Sequence, residues 1–264
     1  MKIADLFDHF LIDLDGVVYV GDKPTAGAKE TIATLRAMGK SVVFLTNDPR
    51  SSSGEYAERL KSMSIHATPN DVITSGMAIA LYIKEHYGPD CGKAYVVGSP
   101  ALKEEIKKVG LKLADGEESK KANFVIVGGH PEFNYEEMKL ATIAIRGGAH
   151  FFGTNRDPLF PTPEGLVPAT GAIVASIEFA SGKKAITAGK PEPIMFDVAK
   201  RLLSSQERIA IIGDRLDTDI AGGKRAGIAT ILALSGSTDR DELSRADIIP
   251  DYVIDDLRDL LMEM

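Results

Sequence analysis

Tryptophan is absent from the 264 residues, and cysteine occurs once. A lone thiol, Cys91, can neither close a disulfide nor fill a zinc site. Disulfide scaffolds and zinc modules are therefore excluded, and a reducing, cytoplasmic setting is expected. Long apolar runs are lacking too: no stretch approaches the ~18 to 20 residues of a membrane helix. The opening Met1 to His9 stretch is too acidic, and its apolar run too short, for a signal peptide, so no membrane partner is expected. Positive charge is in deficit, with 31 Lys and Arg against 38 Asp and Glu and a net charge of -7. No basic block offers a footprint for a nucleic-acid polymer. What remains is an ordinary globular composition, 44% hydrophobic, on a chain long enough for one large domain or two smaller ones.

Short apolar runs alternate with helical patterns from end to end, which predicts an α/β fold with a parallel sheet covered by helices. Strands are expected at Phe10 to Ile12, Ser41 to Leu45, Asp71 to Thr74, Ile209 to Ile212, Ile228 to Leu232 and Tyr252 to Ile254. Helices are expected over Pro24 to Met38, where Ala28, Ile32 and Leu35 share a face, over Glu192 to Leu203, and through Ile220 to Ala226. Ser52 and Glu55 suit a capping box ahead of Tyr56, Leu60 and Met63. Between these groups, further strands at Ala94 to Val97, Phe124 to Val127 and His150 to Phe152 predict an inserted domain of about 100 residues. The expected division is a discontinuous core, 1–78 and 185–264, interrupted by an α/β domain at 79–184.

Chemistry concentrates where strands end. In Phe10-Leu-Ile-Asp13-Leu-Asp15-Gly16 an apolar strand delivers two carboxylates two positions apart, and extended chain would point both the same way. Like charges so close need an offsetting proton or cation. A second apolar strand breaks into Gly213-Asp214-Arg215-Leu216-Asp217-Thr218-Asp219. Hard oxygen ligands at two strand ends suit Mg²⁺, provided the Ile12 and Ile212 strands are neighbours. Two more strand ends carry phosphate-binding groups: Thr46-Asn47, and Lys190-Pro191 opening a helix. EF-hand loops do not fit either acidic run, since position twelve falls on Pro24 in one and on Ile228 in the other. No G-x-S-x-G, H-E-x-x-H or Walker A pattern is present.

These four segments, in this order, resemble the haloacid dehalogenase-like hydrolases, and among them the NagD and p-nitrophenyl phosphatase branch. Ala144-Ile-Arg-Gly-Gly-Ala and Gly153-Thr-Asn in the insert support the match. From Asp15 to Thr46 is 31 positions and from Thr46 to Lys190 is 144, which puts the insert where that branch carries its C2-type α/β cap on a Rossmann-like core. The resemblance implies a Mg²⁺-dependent phosphatase of small soluble phosphomonoesters, such as glycerol phosphate, phosphoglycolate, sugar phosphates or nucleoside monophosphates. It implies Asp13 as nucleophile, Asp15 as acid and base, and Mg²⁺ on Asp13, the Asp15 main-chain carbonyl and Asp214. Thr46, Asn47 and Lys190 would hold the phosphoryl group, supported by Gly16, Gly213 and Asp219, and a homodimer through the cap is a common arrangement among similar proteins.

The match bends in two places. Asp48 stands where Thr-Asn-Asn is usual, and its carboxylate should repel substrate unless it points away or binds a cation. His130 stands where an acidic residue is common, making it the candidate substrate-facing difference, against a solvent-touching loop-tip histidine. Thr154, Asn155, Arg156 and Asp157 could reach a leaving group, although turn chemistry explains them equally well. A phosphotransferase passing the group to an acceptor alcohol, or a non-catalytic regulator binding a phosphometabolite, shares the same motifs.

Overall fold

A computed structural model describes residues 1–162, 164–203 and 208–263. The chain divides into two compact units, one comprising 1–46, 53–73 and 190–264, the other 47–52 and 74–189. The division thus falls at 73 and 190, against 78 and 185 on the sequence, and the short 47–52 segment groups with the second unit.

The first unit is built on a six-stranded sheet, in the spatial order Tyr252–Ile254, Ala229–Ala233, Ile209–Gly213, His9–Asp13, Ser41–Thr46, Val72–Thr74. Its first five strands pair in parallel. The two central strands are buried along their whole length, which is why they read as unbroken apolar runs. Each fully buried Ile or Phe there contributes roughly 1.5 to 3 kcal/mol of transfer free energy. From His9–Asp13 the chain first builds outward to one side and later, from Ile209, to the other. The order therefore reverses between those two strands, and open α/β sheets bind ligands in the crevice at the carboxyl ends beside such a reversal. Ile12 lies directly across from Ile212, as a shared acidic site requires.

Local differences from the sequence reading have physical causes. The first long helix runs over Ala28–Ala37 rather than from Pro24, because Tyr19–Val20 and Lys23–Pro24 form a small antiparallel hairpin ahead of it. It buries Ala28, Thr31, Ile32 and Leu35, and Gly39 at φ +77° lies just beyond its end. The helix expected through Ala226 begins as a wide turn, Leu216–Ile220, and becomes α-helical over Ala221–Arg225. A 3-10 segment, Leu257–Leu261, follows the last strand of this sheet.

The second unit carries its own five-stranded parallel sheet, in the order Ile186–Thr187, His150–Gly153, Phe124–Val127, Lys93–Val97, Lys112–Leu113. Helices Ser75–Tyr87, Pro100–Lys108, Tyr135–Arg146 and Thr170–Ser181 complete it, with an antiparallel hairpin of Leu159–Thr162 and Gly165–Pro168. Its core gathers Tyr95, Val97, Val125, Val127, Leu140, Ile145, Val174 and Ile177. Among the described residues, no helix is long and apolar enough to cross a membrane.

Candidate active site

Three carboxylates from two strand ends converge in the first unit. Asp13, Asp214 and Asp219 each bring a ligand oxygen to within 4.8 Å of the others. All three are buried, at 8%, 2% and 0% exposure. The ammonium of Lys190, itself 4% exposed, sits against them, 2.5 Å from Asp13 Oδ1 and 2.7 Å from Asp219 Oδ1. Thr46 is buried at the end of the neighbouring strand, one residue beyond the Asp13–Leu45 pairing. Side chains 177 positions apart in sequence thus become bonded partners.

Burial drives the electrostatics. Desolvation pushes the Asp13 carboxyl well above the ordinary carboxylate range; the Lys190 charge opposes it, while Asp219 and Asp214 reinforce it. Asp214 is raised by burial and by Asp219, against a hydrogen bond from Ser237. For Lys190, burial favours the neutral amine, but Asp13 and Asp219 together override it and hold the ammonium charged. Three carboxylates against one ammonium leave two negative charges for a proton or a cation to offset. The donors are all oxygen and all buried, which fits a hard divalent ion such as Mg²⁺.

The residues expected on the sequence fall into three groups. Asp13, Asp214, Asp219 and Lys190 are brought together. Asp15 lies two residues beyond the strand end, an exposed residue in an isolated bridge with Tyr19, and is not among the three clustered carboxylates. The carboxylate completing the cluster is Asp219, read on the sequence only as a support. Its ion pair with Lys190 fulfils that role as well. Asp217, by contrast, is solvent-facing and pairs with Arg215 at 2.9 Å.

Gly16 and Gly213 make room for these groups. Gly16 has φ +86°, and a Cβ there would lie 2.3 Å from Asp214 Oδ2; a Cβ on Gly213 would lie 2.1 Å from Asp219 Cβ.

The remaining expected residues lie in the second unit. Asn47 donates from Nδ2 to Asp157 Oδ2 at 3.0 Å, and its carbonyl accepts from Asn155 Nδ2 at 2.6 Å. Asn155 also donates to Thr170 Oγ1 and accepts from the Asp157 amide. Its side chain therefore ties its own turn, through the Asp157 amide, to the Asn47 carbonyl and to Thr170. Asp48 binds a cation, the guanidinium of Arg50, through two contacts of 2.8 Å. The His130 ring is only 8% exposed, 3.3 Å from Glu132 and 3.2 Å from Glu137; a solvent-touching tip does not describe it.

One group escaped the sequence reading: the Ser235 to Thr238 loop that follows the strand Ala229–Ala233. The Ser237 amide donates to Asp214 Oδ2 at 2.6 Å, the Thr238 amide to the Asp214 carbonyl at 3.1 Å, and Ser235 Oγ to the Gly16 carbonyl at 2.8 Å. A Ser-Gly-Ser-Thr run directly after an apolar strand is the signal that could have found it.

The fold and the site together define an α/β protein with an aspartate-rich, lysine-paired centre at the carboxyl edge of its sheet. Residues 10–112 match the haloacid dehalogenase-like hydrolase family, and residues 187–260 match its companion HAD-hydrolase-like description. An acid sugar phosphatase of Staphylococcus haemolyticus is 33% identical over 98% of this chain and 97% of its own. Two solved structures are also similar. A 4-nitrophenylphosphatase from Thermotoga maritima has a TM-score of 0.91 at 34% identity, covering 98% of both chains. A glycerol phosphate phosphatase from Mycobacterium tuberculosis, in complex with magnesium, has a TM-score of 0.90 at 33% identity over 98% of this chain and 78% of that one. The chain belongs to the haloacid dehalogenase-like hydrolases, in the NagD-like branch, and is a phosphoric monoester hydrolase.

Proposed function

We propose that this enzyme hydrolyses small phosphomonoesters through an aspartyl-phosphate on Asp13. The observation that carries the reading is the convergence of Asp13, Asp214, Asp219 and Lys190 beside the reversal of strand order. An Asp13 carboxylate oxygen attacks phosphorus, the bond from phosphorus to the ester oxygen breaks, and Asp15 gives its proton to the departing alkoxide. Asp15 then takes a proton from water, the water oxygen bonds to phosphorus, and the bond from phosphorus to Asp13 breaks, releasing inorganic phosphate. Lys190 and Thr46 hold the equatorial oxygens; Asp219 keeps the Lys190 ammonium aimed.

Asp13, Asp214 and the Asp15 main-chain carbonyl are the groups assigned to Mg²⁺, with Asp219 beside them. When bound, the ion supplies charge that favours ionised Asp13 and offsets charge on the transferring group. The 79–184 insert acts as a cap that selects the leaving group, and His130 is the residue assigned to that selection. Glycerol phosphate, sugar phosphates, phosphoglycolate and nucleoside monophosphates are the substrate class; the names of the relatives support the first two.

The test is p-nitrophenyl phosphate hydrolysis with MgCl₂. Wild-type turnover should vanish with EDTA, and Asp13→Asn should lower kcat on the order of 10⁴-fold or more. Full turnover by either preparation would defeat the reading. Release of free phosphate, against formation of a new ester with added alcohol, separates hydrolysis from phosphotransfer.

A further inference from the structure

Two catalytic elements meet at one short loop. The Asp214 carboxylate lies in a slot with Gly16 on one side and Gly236 on the other: a Cβ on either would come within 2.3 Å or 2.2 Å of its Oδ2. The two glycines also pack on each other, since a Cβ on Gly16 would lie 3.2 Å from Gly236 Cα. The Ser237 amide closes the slot by donating to the same Oδ2. Two residues earlier, Ser235 Oγ donates to the Gly16 carbonyl, within the turn that follows Asp15.

We infer that Ser235 and Gly236 are separate positioning residues on one loop, Gly236 setting the Asp214 carboxylate for the metal and Ser235 setting the turn that presents Asp15. A methyl group on Gly236 must displace either the Asp214 side chain or the loop, because the Asp214 Cβ and Cγ also lie within 2.6 Å of it. Either movement spoils a metal ligand's aim, and loss of such support typically costs 10- to 100-fold in metal affinity. Removing the Ser235 hydroxyl leaves the slot intact but frees the Gly16 carbonyl, so the turn holds the Asp15 side chain less firmly while Asp13 and Asp214, the two carboxylates assigned to the metal, keep their aim.

The experiment pairs two readouts, calorimetric titration of Mg²⁺ into the metal-free protein and steady-state hydrolysis of p-nitrophenyl phosphate at saturating Mg²⁺. Gly236→Ala should weaken Mg²⁺ binding by about 10-fold or more. Ser235→Ala should lose less Mg²⁺ affinity than Gly236→Ala, since only the Asp15 carbonyl rides on the loosened turn, and lower kcat by roughly 10-fold, with Ser235→Thr restoring most of it. Parallel losses of both readouts in both variants, or no loss in either, overturn the inference. Should Gly236→Ala fail to fold, Ser235→Ala decides alone: equal losses of affinity and kcat, or none, overturn it. The inference rests on the roles given to Asp15 and Asp214. Asp15→Asn and Asp214→Asn run alongside: if Asp15→Asn leaves turnover intact or Asp214→Asn leaves Mg²⁺ binding intact, those roles fall and the inference with them. If Asp15→Asn abolishes turnover and Asp214→Asn abolishes Mg²⁺ binding while the loop variants do not separate, the loop inference alone falls.

Discussion

Replacing Lys190 with methionine removes one positive charge from among three buried carboxylates and leaves the shape of the side chain nearly unchanged. The ammonium bridges Asp13 and Asp219 at 2.5 and 2.7 Å, and their side chains are only 11% and 1% exposed. Breaking a buried pair by deleting one partner typically costs ~3 to 5 kcal/mol, because the surviving charge keeps its desolvation penalty without its attraction. At about 2 to 4 °C per kcal/mol for a chain of this size, the unfolding transition of metal-free protein should fall by roughly 6 to 20 °C near pH 8.

The loss should depend on pH. Asp13 and Asp214 already sit above the ordinary carboxylate range, and without Lys190 they rise further. A raised carboxylate binds its proton more tightly in the native than in the unfolded chain. Its penalty is therefore full above the folded-state value and shrinks as pH falls through that value toward the ordinary range. Lys190→Met should fall short of wild-type stability by less at about pH 5 than at pH 8, and added MgCl₂ should recover part of the loss at pH 8. Thermal unfolding in EDTA and in MgCl₂ at both pH values measures this. A deficit independent of pH and of Mg²⁺ would refute the electrostatic account and leave only a packing defect.

Two further outcomes follow from the same geometry. Gly213→Ala should destabilise by about 1 to 3 kcal/mol, since its Cβ would overlap the Asp219 Cβ and Cγ at 2.1 Å; chemical denaturation of the purified variant would read it, and an unchanged midpoint would contradict the packing seen. In the second unit, burial raises the Glu178 carboxyl, but hydrogen bonds from Arg156, Lys184 and the Ala185 amide outweigh it and bring it down to about 2. A depressed carboxylate stabilises above its unfolded value and loses that contribution as pH falls toward 2, so Glu178→Gln should flatten the acid limb of that unit's stability profile measured by hydrogen exchange.

Particular elements show where sequence reasoning carries and where it stops. Tyr252–Ile254 and Phe124–Val127 match their expected bounds, and His9–Asp13 and Ile209–Gly213 differ by a residue or two. Continuous burial leaves Phe124–Val127 and Ile209–Gly213 no polar positions, so an apolar run bounded by turn residues marks them. The pairs Lys112–Leu113 and Ile186–Thr187, and the hairpin Leu159–Thr162 with Gly165–Pro168, were not anticipated. Two to four residues are too few for a period to register, and only pairing with a neighbour makes them strands. The alternation argument for Asp15 reaches beyond the strand itself, which ends at Asp13 and is followed by an isolated bridge of Asp15 with Tyr19.

The order of amino acids by itself determined the strand runs, the carboxylates and the lysine at their ends, and the position of the insert, because these depend on local pattern and spacing along the chain. Sheet order, the ion pairs of Lys190 with Asp13 and Asp219, and the loop of Ser235 that cups Asp214 were decided only in three dimensions. The reason is physical. A hydrogen-bonded strand or a buried charge selects its partner by the free energy of the assembled core, and that partner can stand two hundred residues away.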